Sequence, residues 1–227
     1  FYHNLFPRDG DLMWTPLDWA YIGGSYDALF PTLHHGFPTL AYRPRKFDPE
    51  KAFYMMAEHG VRNLMAVPTV LRMMMHAVKN PRDRYNVRLR SITAGGETLG
   101  AELCAWTREY LGAEINEQYG QTECDLVVGF CSEIMNIVPG AIGKAVPGHI
   151  VEIINEDGKI AKHDQLGEIA VKGPDPVMFL EYWRNPQATR GKYIGEWLRT
   201  GDFGRKDENG NLWFSGRQDD IIESGGF

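Results

Sequence analysis

Between residues 37 and 118 short apolar runs alternate with segments that open on proline and carry helical periodicity, and no feature restricts the fold more. Residues 37–42 follow a glycine and predict a buried strand. Asp48-Pro49 supplies an N-cap and a first-turn proline, so a helix is expected to about Glu58, with His59-Gly60 as its end. Residues 61–67 predict a second strand, and Pro68 opens a helix through Ala77. Residues 87–93 predict a third strand, closed by Gly95-Gly96. Leu99, Leu103, Trp106, Tyr110 and Leu111 then share one face at helical spacing, and residues 113–118 return as a strand. Such alternation implies an α/β fold with a mostly parallel sheet flanked by helices. Ligands in such sheets sit at the carboxyl ends of strands, where Gly95-Gly96-Glu97 and residues 119–123 fall.

From about Val138 the texture changes to short runs separated by turn pairs: Pro147-Gly148, Asp157-Gly158 and Asn209-Gly210. Val151–Ile154 followed by Asp157-Gly158 reads as a hairpin, and residues 168–172 and 212–215 as further strands. The expected organisation is an α/β subdomain over 1–137, a smaller β-rich subdomain over 138–216, and a connector over 217–227.

A net charge of -6 and a pI near 5.7 argue against nucleic acid or anionic membrane as the main partner. The three cysteines have no metal spacing and no disulfide pattern, which points to a reducing compartment. Cytoplasm is the expected location, with the mitochondrial matrix as the alternative. No apolar run is long enough to span a bilayer. Because Phe1 is not a start residue, an upstream targeting segment stays open.

Four polar, glycine-rich islands carry the candidate chemistry: Ala94-Gly95-Gly96-Glu97, Tyr119-Gly120-Gln121-Thr122-Glu123, Thr200-Gly201-Asp202 and Gly216-Arg217-Gln218-Asp219-Asp220. Gly95 and Gly96 permit a flat ring to approach the backbone, or simply open a helix. Tyr119 offers an aromatic face for a base, or a core side chain. Thr122 offers a hydroxyl for a phosphate oxygen. Glu123 offers a hard carboxylate for Mg²⁺, or a solvated surface charge. Asp202, read as a residue of a glycine-flanked turn, can accept from vicinal hydroxyls such as those of ribose. Arg217 is permanently charged and forked, suited to phosphate or ribose oxygens, or to a surface ion pair. His34-His35, His76 and Met73-Met74-Met75 read as packing or surface residues, and Cys124 has no local histidine to activate it.

In their order these islands resemble the acyl-activating, adenylate-forming superfamily, and within it the acetyl- and medium-chain acyl-CoA synthetases. Residues 14–19, 66–69 and 199–204 extend the resemblance over essentially the whole chain. It implies a ligase using ATP, Mg²⁺ and coenzyme A. A small carboxylic acid attacks the α-phosphate to give an acyl-adenylate, and coenzyme A then displaces AMP. By resemblance Gly95, Gly96 and Glu97 line the adenine, with Glu117 counted among the nucleotide residues, and Tyr119 stacks on the ring. Thr122 holds the α-phosphate and Glu123 reaches Mg²⁺. Asp202 binds the ribose with help from Arg217, Asp219 is the hinge of a rotating C-terminal domain, and Gly226 approaches coenzyme A.

Acetate-specific relatives carry tryptophan at the position of Gly120, so the resemblance implies an acid larger than acetate: medium-chain, branched or aromatic. Trp19 and Gly24 are expected to contribute to the same acyl pocket. The superfamily's upstream phosphate loop and its C-terminal lysine domain have no counterpart in these residues, so the isolated chain is expected to be inactive. The alternatives are an adenylation domain that loads a carrier protein and an inactive nucleotide-binding fragment. Homo-oligomerisation is left open.

Overall fold

The computed structural model of the chain describes residues 5–42 and 44–217. It divides into two compact units: one takes residues up to Glu117 with Cys131–Asn136, the other Gln118–Phe130 and the described residues from Ile137 onward. Gln118–Phe130, placed with the 1–137 block on sequence, therefore joins the second unit, because its backbone pairs with antiparallel neighbours there.

The first unit is the α/β half. Its strands are β1 (Met13–Trp14), β2 (Asn63–Met65), β3 (Ser91–Gly95) and the start of β4 (Ile115–Gln121), in that spatial order. β1, β2 and β3 are parallel. The first helical stretch runs through α1 (Ile22–Gly24), a π-helical segment at Ser25–Leu29, and α2 (Phe30–His34). Helix α3 (Pro49–His59) forms where the local signals place it. The Asp48 carboxylate accepts from Glu50 N at 3.0 Å and Lys51 N at 3.2 Å. Pro49 gives up no needed donor there, and Gly60 ends the helix in the left-handed region at φ 69°. Helix α4 spans Pro68–Ala77, followed by α5 (Pro81–Tyr85) and α6 (Ala101–Trp106), which continues as a π-helical turn over Thr107–Leu111. The inward faces bury one cluster containing Trp14, Phe53, Leu64, Leu71, Met74, Ile92 and Leu103. Residues 37–42 are a correction. They contribute only an isolated parallel bridge, Met13↔Thr39, because Pro38 has no amide hydrogen for a ladder.

The second unit is built from antiparallel pairs. The end of β4 pairs with β5 (Asp125–Gly129), and β5 with β6 (Lys144–Ala145). A further sheet has the order β11 (Leu212–Arg217), β10 (Trp197–Lys206), β8 (Gly167–Lys172), β7 (Val151–Ile154), with β9 (Tyr193–Ile194) beside β10. Helix α7 (Pro186–Gly191) precedes β9. Val127, Val128, Val151, Ile153, Ile169, Val171, Leu198 and Leu212 form the core of this unit. The Asp157-Gly158 turn closes a hairpin as expected, though a short one: Asn155 N donates to Lys159 O at 2.9 Å and Ala161 N to Ile153 O at 2.8 Å. It returns the chain to a single bridge, Ile154↔Ile160, and the partner of β7 is β8. Among the described residues no helix is long and apolar enough to cross a membrane.

Candidate functional site

Thr200-Gly201-Asp202 is not a turn, as its sequence suggested, but an irregularity inside the long strand β10. The pairing of β10 with β8 shifts register between Arg199 and Phe203, and Gly201 takes φ +83° at the shift. Side chains then fix this bulge from below. Thr200 Oγ1 donates to Ile169 O at 2.7 Å and accepts from Asp202 N at 3.1 Å. The buried Glu168 carboxylate accepts from Gly201 N at 2.9 Å and from Arg199 Nε at 2.8 Å. The result is an Asp202 carboxylate in a rigid setting, only 5% exposed.

Three groups meet that carboxylate. Tyr119 Oη donates to Asp202 Oδ2 at 2.6 Å. Gln121 Nε2 lies 3.5 Å from the same oxygen and donates to Thr200 O at 3.0 Å. Arg217 Nε lies 3.7 Å from Asp202 Oδ1. Lys192 Nζ completes the cluster, 3.4 Å from Gln121 Oε1 and 3.4 Å from Arg199 O. Burial, and then the Asp202 carboxylate, push the Tyr119 phenol well above its usual range, so it acts as a neutral donor. Tyr119 and Asp202 are 83 positions apart, yet their side chains touch. These two distant segments meet within the second unit.

Thr122, Glu123 and Cys124 form the turn between β4 and β5, with Thr122 exposed. Tyr182 Oη donates to Glu123 Oε1, and Phe179 N donates to Glu123 O at 2.9 Å. Burial and the Glu123 carboxylate together raise the Tyr182 phenol. Cys124 is buried, and burial pushes its thiol up to about 12, so it remains protonated and unreactive.

Gly120 lies close against the neighbouring strand. A Cβ added there would lie 1.7 Å from Asp125 O and 2.6 Å from Asp125 C. The missing side chain is accounted for by the close approach of β5 at the register shift between Tyr119 and Gly120. That close approach is one structural reason for glycine at this position. Gly24 in the first unit is similar, since a Cβ there would lie 2.2 Å from Asp18 O. Trp19, also in the first unit, is 41% exposed.

The other expected residues of the first unit stand at the strand ends. Gly95 closes β3 and Gly96 follows it. Glu97 Oε2 accepts from Thr69 Oγ1 at 2.8 Å and pairs with Arg72, while Glu97 Oε1 is buried and has no hydrogen-bond partner among the described residues. Glu117, in β4, has its carboxyl pushed up to about 7 by burial. Asp219 and Gly226 lie outside the described residues. Sequence reasoning missed Gln121, Glu168, Tyr182 and Lys192. Gln121 stood inside a motif already singled out, whereas the other three have no local signal.

Among the described residues no group of three or more His, Cys, Asp or Glu could hold a metal ion. A magnesium ion carried on nucleotide phosphates needs only one or two protein carboxylates. Glu123, on a turn beside the exposed Thr122 hydroxyl, fits that demand.

The profile of the AMP-binding enzyme family matches residues 2–183, and the chain belongs to that family. An uncharacterized acyl–CoA ligase, YtcI of Bacillus subtilis, is 34% identical over 218 residues, 96% of this chain and 40% of its own length. The crystal structure of an acyl-CoA synthetase from Brucella canis superposes with TM-score 0.87 at 30% identity, covering 100% of this chain and 42% of that one. The o-succinylbenzoate coenzyme A synthetase of Bacillus subtilis, in complex with ATP and magnesium ion, gives TM-score 0.80 at 26% identity, covering 97% and 44%. The chain thus spans less than half the length of these relatives.

Proposed function

We propose that this chain forms the central part of an AMP-forming carboxylic acid–CoA ligase. The observation that carries the reading is the Tyr119–Asp202–Arg217 cluster, joined by Gln121, in a chain of the AMP-binding family. The Asp202 carboxylate, fixed by Thr200 and Glu168, suits the paired hydroxyls of a ribose. The Tyr119 hydroxyl donates to that carboxylate, a bond that would hold the ring in place for an adenine face. Thr122 is exposed at the strand end and can donate to an α-phosphate oxygen. Glu123 would hold Mg²⁺, whose contribution when bound is to neutralise phosphate charge as the α-phosphorus is attacked. Phosphoryl-centred substitution rests on positioning and electrostatics rather than on a protein nucleophile, in keeping with the inert Cys124.

The reaction is activation of a carboxylic acid as its adenylate, with release of pyrophosphate, followed by thioester formation with coenzyme A and release of AMP. We retain an acid larger than acetate, medium-chain, branched or aromatic. What supports it is the likeness to a synthetase named for o-succinylbenzoate. The test is acid-dependent AMP release by the full-length protein, with coenzyme A, across a panel of carboxylic acids. Release with one or more acids beyond acetate is expected, and Asp202→Ala should reduce it by more than about a hundredfold, the scale of lost charge-assisted contacts. AMP release with no acid of the panel would overturn the reading.

A further inference from the structure

The structure assigns Tyr182 as a positioning residue for Glu123, setting the carboxylate for a divalent cation through the hydrogen bond from its hydroxyl; this rests on the ligase reading above. Glu123 lies on a short turn between β4 and β5, where a glutamate side chain has many accessible rotamers. A small hard cation tolerates little misplacement of its few protein oxygens. Tyr182 meets this need from 59 positions away.

The same segment grips Glu123 twice, by side chain and by backbone. Tyr182 Oη donates to Glu123 Oε1, and Phe179 N donates to Glu123 O at 2.9 Å. The segment is itself fixed. Tyr182 N donates to Thr189 Oγ1 at 3.0 Å. The Phe179 ring sits 4.8 Å from that of Tyr182 and stacks on Tyr193 at 6.3 Å with an interplanar angle of 1°. Upstream, Asp175 Oδ1 accepts from Val177 N at 3.1 Å, and Asp175 Oδ2 lies 2.7 Å from His149 Nδ1, with both side chains largely buried. A hydrogen bond to a ligating carboxylate fixes its rotamer, and loss of such a partner typically weakens metal binding by about 10–100-fold.

The test uses the full-length protein, Mn²⁺ as the probe and a non-hydrolysable ATP analogue, with free Mn²⁺ read by electron paramagnetic resonance. Tyr182→Phe keeps the ring and removes only the hydroxyl. Its Mn²⁺ dissociation constant should rise about tenfold or more, while affinity for the analogue without metal stays within about twofold of wild type. In acid-dependent AMP release the defect should appear as a raised cation KM, with kcat restored at saturating Mn²⁺. Should Tyr182→Phe fail to fold, Thr189→Val, which removes the acceptor for Tyr182 N, should show a smaller rise in the same constant. Wild-type Mn²⁺ affinity in Tyr182→Phe, or a drop in thermal stability with no change in cation binding, would overturn the role of Tyr182 alone. Wild-type protein that binds neither Mn²⁺ nor the analogue would overturn the ligase reading as well.

Discussion

The two units announce their structure in the sequence to different degrees. In the first unit the helices carry their own start and stop signals: Asp48 caps one within three residues, and Gly60 ends it. In the second unit nearly every contact that shapes the site spans tens of residues: Tyr119 to Asp202, Gln121 to Thr200, Glu123 to Tyr182. Parallel strands need helical crossovers, so their loops carry strong local signals. Antiparallel strands with shifted register can bring distant side chains together but announce little of it in advance. The difference teaches that motifs of one family can be read in a line while their wiring cannot.

That contrast can be broken by substitution. The largest effect is expected in the second unit, at Gly120→Ala. With Asp125 O only 1.7 Å from the new Cβ, β4 and β5 must shift apart, and a loss of about 3 kcal/mol follows. Chemical denaturation of the full-length variant checks this, and a loss under about 1 kcal/mol would show that the strand contact is not what requires glycine. Next comes Glu117→Gln at the end of the first unit. The Glu117 carboxyl is raised from 4.5 to about 7 by burial. Below pH 4.5 both folded and unfolded chains hold the proton, and the group is neutral in effect. As pH rises from there to about 7 the unfolded carboxyl ionises first, so stability falls, by at most about 3 kcal/mol once the folded carboxyl has ionised too. The glutamine variant should therefore gain stability at pH 8 and lose that gain at pH 4, read as the difference in denaturation midpoint at the two values. The smallest effect is Asp48→Ala, which removes one local cap and should cost about 1 kcal/mol, visible as a modest drop in melting temperature. A cost equal to that of Gly120→Ala would erase the proposed difference between local and non-local order.

Particular residues show why legibility differed. The bounds of helix α4 are legible in the sequence because Pro68 and the apolar face are both local. The Asp202 island was recognised by its residues but assigned to a turn, because glycine marks turns and strand irregularities alike. Residues 37–42 looked like a strand by apolarity, yet Pro38 left them a bridge. Gly120 invited a reading through the absent side chain, and only the position of Asp125 showed what fills that direction.

By itself the order of residues determined the class of fold, the capped helices and the family, since caps, periodicity and short motifs act over a few positions of the chain. Tertiary structure decided which carboxylate meets which hydroxyl. Asp202 faces Tyr119 and Glu123 faces Tyr182 because strand register and a bulge set those distances, and register is a property of two distant segments together.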